Sequence, residues 1–118
     1  MRDWLAAGAH VNAVGSSIPT TRELDATTVS AAALFADSRE SLVNESGDYL
    51  FAVEEAGIGP DHVRAELGEV LTGSREGRRS AEELTVFKSL GLAVEDLAAA
   101  EHVYARARAG DAGAVVAF

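Results

Sequence analysis

Short apolar runs alternate with amphipathic stretches along the chain, and glycines and prolines punctuate them. Residues 9–14 (Ala-His-Val-Asn-Ala-Val) form an apolar-rich run ending at Gly15. This predicts a buried strand, followed by a loop over Gly15–Pro19. Thr20 stands three residues before Glu23, the spacing of a capping box, so a short helix carrying Leu24, Val29 and Ala32 is expected next. Ala33–Ala36 is a second apolar run and a second strand. Asp37 ends it and can cap a further helix, with Glu40 in the reciprocal place; that helix carries Leu42 and Val43 and stops at Gly47.

Residues 56–59 read as a loop. Pro60 suits a first helical turn, where its missing N–H costs nothing. Val63, Leu67, Val70 and Leu71 then fall at spacings of three and four, an apolar stripe closed by Gly73. A polar loop follows over 73–80. Residues 84–87 (Leu-Thr-Val-Phe) predict a third strand. Ser89 can cap a long final helix from Gly91 to Arg108, with Leu92, Val94, Leu97, Ala100, Val103, Tyr104 and Ala107 as its apolar content. Strands alternating with helices imply an α/β fold with a parallel sheet and right-handed crossovers. Three strands make a small sheet with open edges, which suggests that further strands belong beside it.

Composition narrows the class. With 118 residues, 47% hydrophobic and 25% charged, the chain suits one globular domain. A domain this small buries only about two-thirds of its unfolded surface and gains from a partner. The net charge of −9 disfavours nucleic acid, because phosphates repel such a surface. The one basic cluster, Arg75, Arg78 and Arg79, sits in a glycine-flanked stretch and reads as a solvated loop. Cysteine is absent, which removes disulfides and thiolate metal sites. No apolar run approaches the ~18–20 residues of a membrane span, and the first residues are too polar for a secretion signal. A cytoplasmic location without membrane contact is the expectation.

In an open parallel sheet, ligands bind beyond the carboxyl ends of the strands. Two loops qualify: Val14–Pro19 and Lys88–Gly91. Gly15 lets backbone approach a flat ligand. Ser17 and Ser89 offer hydroxyls, and Ser89 stands at the start of a helix. Spacing alone leaves open whether these are ligand loops or ordinary turns. Elsewhere the bland readings prevail. His10, His62 and His102 share no metal-ligand spacing. Glu66 and Glu69 read as a solvated helix face, and Glu95 and Asp96 as acids favoured by the helix dipole. Lys88, the only lysine, reads as a surface residue. Trp4 and Leu5 are expected to pack against neighbouring structure, or to be exposed if that structure is missing.

Four stretches carry a more specific message: His10-Val-Asn-Ala-Val-Gly-Ser-Ser-Ile-Pro-Thr-Thr-Arg-Glu-Leu-Asp25; Asp37-Ser-Arg with Glu45-Ser-Gly-Asp48; Glu66-Leu-Gly-Glu-Val-Leu-Thr-Gly73; and Thr85-Val-Phe-Lys-Ser-Leu-Gly-Leu-Ala-Val-Glu-Asp96. In order and over nearly the whole chain, they resemble the C-terminal region of the ornithine cyclodeaminase/mu-crystallin family. The resemblance implies the distal half of a Rossmann-type NAD(P) domain ending in a long helix. In the family that helix packs towards an N-terminal substrate and dimerisation domain. It implies NAD or NADP as cofactor, an amino acid or cyclic imine as substrate, and homodimers.

By that match Asn12, Ala13, Val14, Gly15, Ser17 and Ser89 border the cofactor, and Leu90 faces the substrate. No catalytic residue is implied within these residues. Where ornithine cyclodeaminases of the family carry an aspartate this chain has Ser17, as in ketimine-reductase and mu-crystallin-like members. The Gly-rich phosphate loop is not found, since Gly57-Ile-Gly59 leads into Pro60 without the third glycine. The expected domain is thus residues 1–118 as the C-terminal portion of a dinucleotide-binding domain. The N-terminal domain and the phosphate loop lie outside it, as from a truncated, split or degraded gene. Such a piece is expected to bind cofactor weakly and to be inactive alone. A non-catalytic interaction module or gene remnant, pairing with a separate half or a homologue, is the alternative.

Overall fold

The computed structural model describes residues 2–117. A 3-10 turn at Arg2–Trp4 precedes β1 (His10–Ala13), α1 (Ala26–Ala31), β2 (Ala33–Ala36), α2 (Arg39–Glu45) and α3 (Gly47–Ala56). A second 3-10 turn, Pro60–His62, leads into β3 (Val63–Glu66), α4 (Leu67–Leu71), β4 (Thr85–Lys88) and α5 (Ala93–Ala109). The strands form one parallel sheet in the order β1-β4-β2-β3.

The chain steps outward from β1 to β2 to β3, then returns to insert β4 between β1 and β2. Right-handed crossovers put outward and returning connections on opposite faces of a sheet. The two apolar clusters follow that division. Leu34, Ala36, Val63, Val86 and Ala13 meet Val29, Leu42, Tyr49 and Ala52 of α1–α3 in the main core. Ala33, Phe35, Ala65 and Phe87 meet Val70 of α4 in a thinner second cluster. A register shift between Leu34 and Phe35 against β3 puts Val63 and Ala65 in different clusters although they are only two residues apart.

Several expectations are corrected. There are four strands among the described residues, not three. The Pro60 helix is a three-residue 3-10 turn, and Val63 begins an edge strand rather than an apolar helix stripe. Only two apolar residues lie in β3, too few to reveal alternation. The sequence reading places no helix over 47–56, because Ser46-Gly47 reads as a stop; the structure has α3 there. Ser46 in fact closes α2 and caps α3, its hydroxyl accepting the Tyr49 N–H at 3.3 Å. Thr20 and Glu23 form no capping box; Asp25 caps α1 through the Thr28 N–H at 2.8 Å. Ser38 rather than Asp37 caps α2.

The final helix is present, from 93 rather than 91, and no residue of it is buried. Leu92, not Ser89, occupies its cap position. Acids Glu95 and Asp96 begin it and Arg106 and Arg108 end it, as the helix dipole favours. It extends the molecule to 54 × 32 × 28 Å with a radius of gyration of 17.3 Å; a compact chain of this length has about 13 Å.

Candidate functional site

The loops after β1 and β4 share one end of the sheet. Their strands are neighbours, with Ala13 opposite Lys88, and the ladder continues past both strands through Ser89 N–H to Ala13 carbonyl at 3.1 Å. Asp37, at the end of β2, completes the edge. The returning strand is inserted between β1 and β2, which makes these loops neighbours at the carboxyl edge of the sheet, the side on which open α/β sheets bind ligands.

Each loop is organised by a carboxylate. Asp37, 7% exposed, accepts the Ser89 hydroxyl at 3.1 Å and the N–H groups of Leu90 (2.6 Å) and Gly91 (2.8 Å) on one oxygen. Its other oxygen accepts the Ser38 N–H at 2.8 Å. Ser89 is therefore tied to Asp37 instead of capping a helix. In the first loop Glu23 accepts the N–H groups of Gly15 (2.7 Å) and Ser16 (3.2 Å). A Cβ on Gly15 would stand 2.5 Å from that carboxylate, so a larger residue here would push the Glu23 side chain aside.

Val14 and Ile18 are exposed large apolar residues (64% and 53%), and Gly15 and Ser17 are exposed beside them. Ala13 is buried in the main core and Leu90 packs against it. Asn12 lies on the other face of the sheet, where its side-chain oxygen meets His10 Nε2 at 3.2 Å. With Phe35, Leu67, Val70 and Phe87 it lines an open trough of about 510 Å³. The predicted cofactor residues of the two loops thus gather at one edge, whereas Asn12 turns its side chain away from Ala13.

Lys88 corrects the sequence reading most sharply: it is 1% exposed. Its ammonium donates to the Ser16 carbonyl and lies 3.2 Å from Asp48 and 3.5 Å from Glu23. Period-two alternation from Leu84 and Val86 was the available signal, for it puts Lys88 on the buried face. Glu66 and Glu69 are likewise not merely solvated. They form a reciprocal capping box at α4, and both engage Arg39. The N–H of Glu66 and the Arg39 guanidinium hold the Glu69 carboxyl below its usual range. Arg64, with the Arg79 N–H, lowers that of Glu83 to about 2. Arg78 also leaves the solvated-loop description, donating to the Ala9 carbonyl and the Thr85 hydroxyl.

Gly57 closes α3 in the left-handed conformation (φ 68°), and Gly59 leads towards the amino end of β3. This turn lies at the end of the sheet opposite the two loops and does not serve as a phosphate loop. Among the described residues no cluster of histidines and acids suits a metal, and no helix is long and apolar enough to cross a membrane. Trp4 is 85% exposed, while Leu5 packs partly on the core.

Residues 1–111 match the model of the ornithine cyclodeaminase/mu-crystallin family. The chain belongs to that family. It is 50% identical to the mouse ketimine reductase mu-crystallin over 102 residues, 86% of this chain and 30% of that protein. It is 41% identical to a Delta(1)-pyrroline-2-carboxylate reductase of Bacillus cereus over 104 residues, 87% of this chain and 32% of the other. The Delta(1)-pyrroline-2-carboxylate reductase of Thermococcus litoralis, solved with NADH and L-proline, superposes with a TM-score of 0.85 at 40% identity. That match covers 97% of this chain and 35% of the solved one. The fold is accordingly the Rossmann-like one of this family's NAD-binding domains, and the chain spans about a third of the length of these relatives.

Proposed function

We propose that this chain is the C-terminal portion of the dinucleotide-binding domain of an NAD(P)-dependent oxidoreductase acting on an amino acid or cyclic imine. Its part is to supply the nicotinamide-side loops. The observation that carries the reading is the gathering of Val14–Ser17 and Ser89–Leu90 on adjacent strand ends at the carboxyl edge of the sheet, one loop held by the exposed Glu23 and the other by the buried Asp37. The relatives named as ketimine and pyrroline-carboxylate reductases support the imine as substrate class.

The donor set fits one end of a dinucleotide. Gly15 and the exposed Val14 offer a flat, side-chain-poor surface to a ring. Ser17 and Ser89 offer hydroxyls, and Leu90 supplies apolar contact towards the substrate. A bound nicotinamide supplies hydride for C=N reduction. The residues here orient it and exclude water; Ser17, lacking a carboxylate, positions by hydrogen bonding rather than by taking a proton. Among the described residues the pyrophosphate end has no counterpart, since the Gly57-Ile-Gly59 turn is at the wrong end of the sheet. Dinucleotide affinity rests largely on a helix N-terminus gripping that pyrophosphate.

These 118 residues are therefore expected to show no micromolar NADPH binding by calorimetry and no imine reduction alone. Both are expected to appear on co-expression with a segment bearing the Gly-rich loop. Tight NADPH binding by the isolated chain would overturn the division of labour; no cofactor-dependent turnover in the paired protein would overturn the enzyme reading.

A second reading is favoured by α5, a long helix with no buried residue. A non-catalytic module would use it to hold a separate half or a homologue. Stable association without any turnover in the paired protein would favour that role.

A further inference from the structure

Lys88 closes β4 with its side chain inside the α1–α3 face of the sheet. Its Nζ reaches across to the Ser16 carbonyl, near the start of the loop after β1. Asp48, 3% exposed in the first turn of α3, lies 3.2 Å from the same ammonium. The other oxygen of Asp48 accepts the N–H groups of Glu23 (2.8 Å) and Leu24 (2.7 Å), where that loop re-enters the core. Glu23 then turns back on Gly15 and Ser16 and stands 3.5 Å from Lys88. The loop is thus held near its start by Lys88 and at its exit by Asp48.

The approach of α3 is close enough that a Cβ on Gly47 would stand 1.9 Å from the Thr21 carbonyl. A buried ion pair stabilises a fold no better than well-packed apolar residues of the same volume. Its distinctive effect here is directional: an ammonium and a carboxylate specify where one carbonyl and two N–H groups of the loop must stand, which apolar side chains cannot do.

We propose that Lys88 and Asp48 are positioning residues that set the conformation of the Val14–Thr21 loop and so the cofactor-facing surface. The inference rests on the reading that this loop borders the nicotinamide. Neither side chain need touch cofactor or substrate; both act through Ser16, Glu23 and Leu24.

The test compares wild type, Lys88→Met and the double variant Lys88→Met/Asp48→Asn by thermal unfolding and by residue-resolved hydrogen exchange. The single variant leaves a buried carboxylate unpaired and can fail to fold, so the double variant decides. It removes both charges while keeping an oxygen for Glu23 and Leu24. Its melting temperature is expected near wild type, with exchange at Gly15–Thr21 faster by about tenfold or more and exchange in β2 unchanged. Wild-type exchange in that loop would overturn the inference, because the pair would then be structural only. In the paired protein the double variant is expected to raise the KM for NADPH more than it lowers kcat; an unchanged KM also overturns it. Failure of the cofactor reading shows differently: NADPH then leaves loop exchange unaltered in the unmutated paired protein.

Discussion

The sheet body and the final helix are built from similar residues and meet opposite fates. Leu34, Leu42 and Val86 are at most 2% exposed, whereas Leu97, Val103 and Tyr104 are 64–68% exposed. Both regions use leucine, valine and alanine at helix or strand spacing. The difference lies in what each faces. Alternating crossovers surround the strands with helices of this same chain, whereas α5 departs from the last strand with no layer of described residues beside it. An apolar stripe thus predicts a need for burial, not its fulfilment. The helix stands on capping charges and backbone hydrogen bonds, with Arg108 against the Tyr104 ring at 5.8 Å.

The sharpest way to break this contrast is paired truncation. Leu42→Ala is expected to cost about 2–5 kcal/mol in denaturant unfolding, and Leu97→Ala within about 0.5 kcal/mol of zero. Equal costs would mean that α5 is covered in solution. Next in size is Asp37→Ala. It strands the N–H groups of Ser38, Leu90 and Gly91, and a loss of about 2 kcal/mol is expected. Unchanged urea unfolding would separate the β4 loop from the body it adjoins.

The smallest effect is at Glu83, whose carboxyl Arg64 lowers to about 2. A depressed folded pKa contributes stability above the unfolded value near 4.3, lost as pH falls from about 5 to 2. The pair is partly solvated, so the term is below about 1 kcal/mol. Glu83→Gln is expected to flatten that limb of stability against pH, and a limb as steep as wild type's would remove the pair from the account.

Legibility followed the density of apolar residues in each strand. The strands at Ala33–Ala36 and Thr85–Lys88 are the inner ones of the sheet and read directly as apolar runs. The edge strand β3, whose apolar residues are only Val63 and Ala65, was masked by helical spacing to Leu67 and Val70. The two candidate loops were visible as glycine- and serine-rich turns after strands. Their supports were less so: Asp37 reads as a helix cap, and for Lys88 only the alternation from Leu84 and Val86 points inward, because the partners of each are dozens of residues away.

By itself the sequence determined the α/β alternation, the parallel sheet and the loops at strand ends, because periodicity and turn chemistry are local properties of the chain; the family came from the resemblance of four stretches of residues. Only the tertiary structure decided that β4 inserts between β1 and β2, making those loops neighbours. It alone buried Lys88 against Asp48 and left α5 bare. Each of these depends on which distant segments share a face, and no local pattern encodes that.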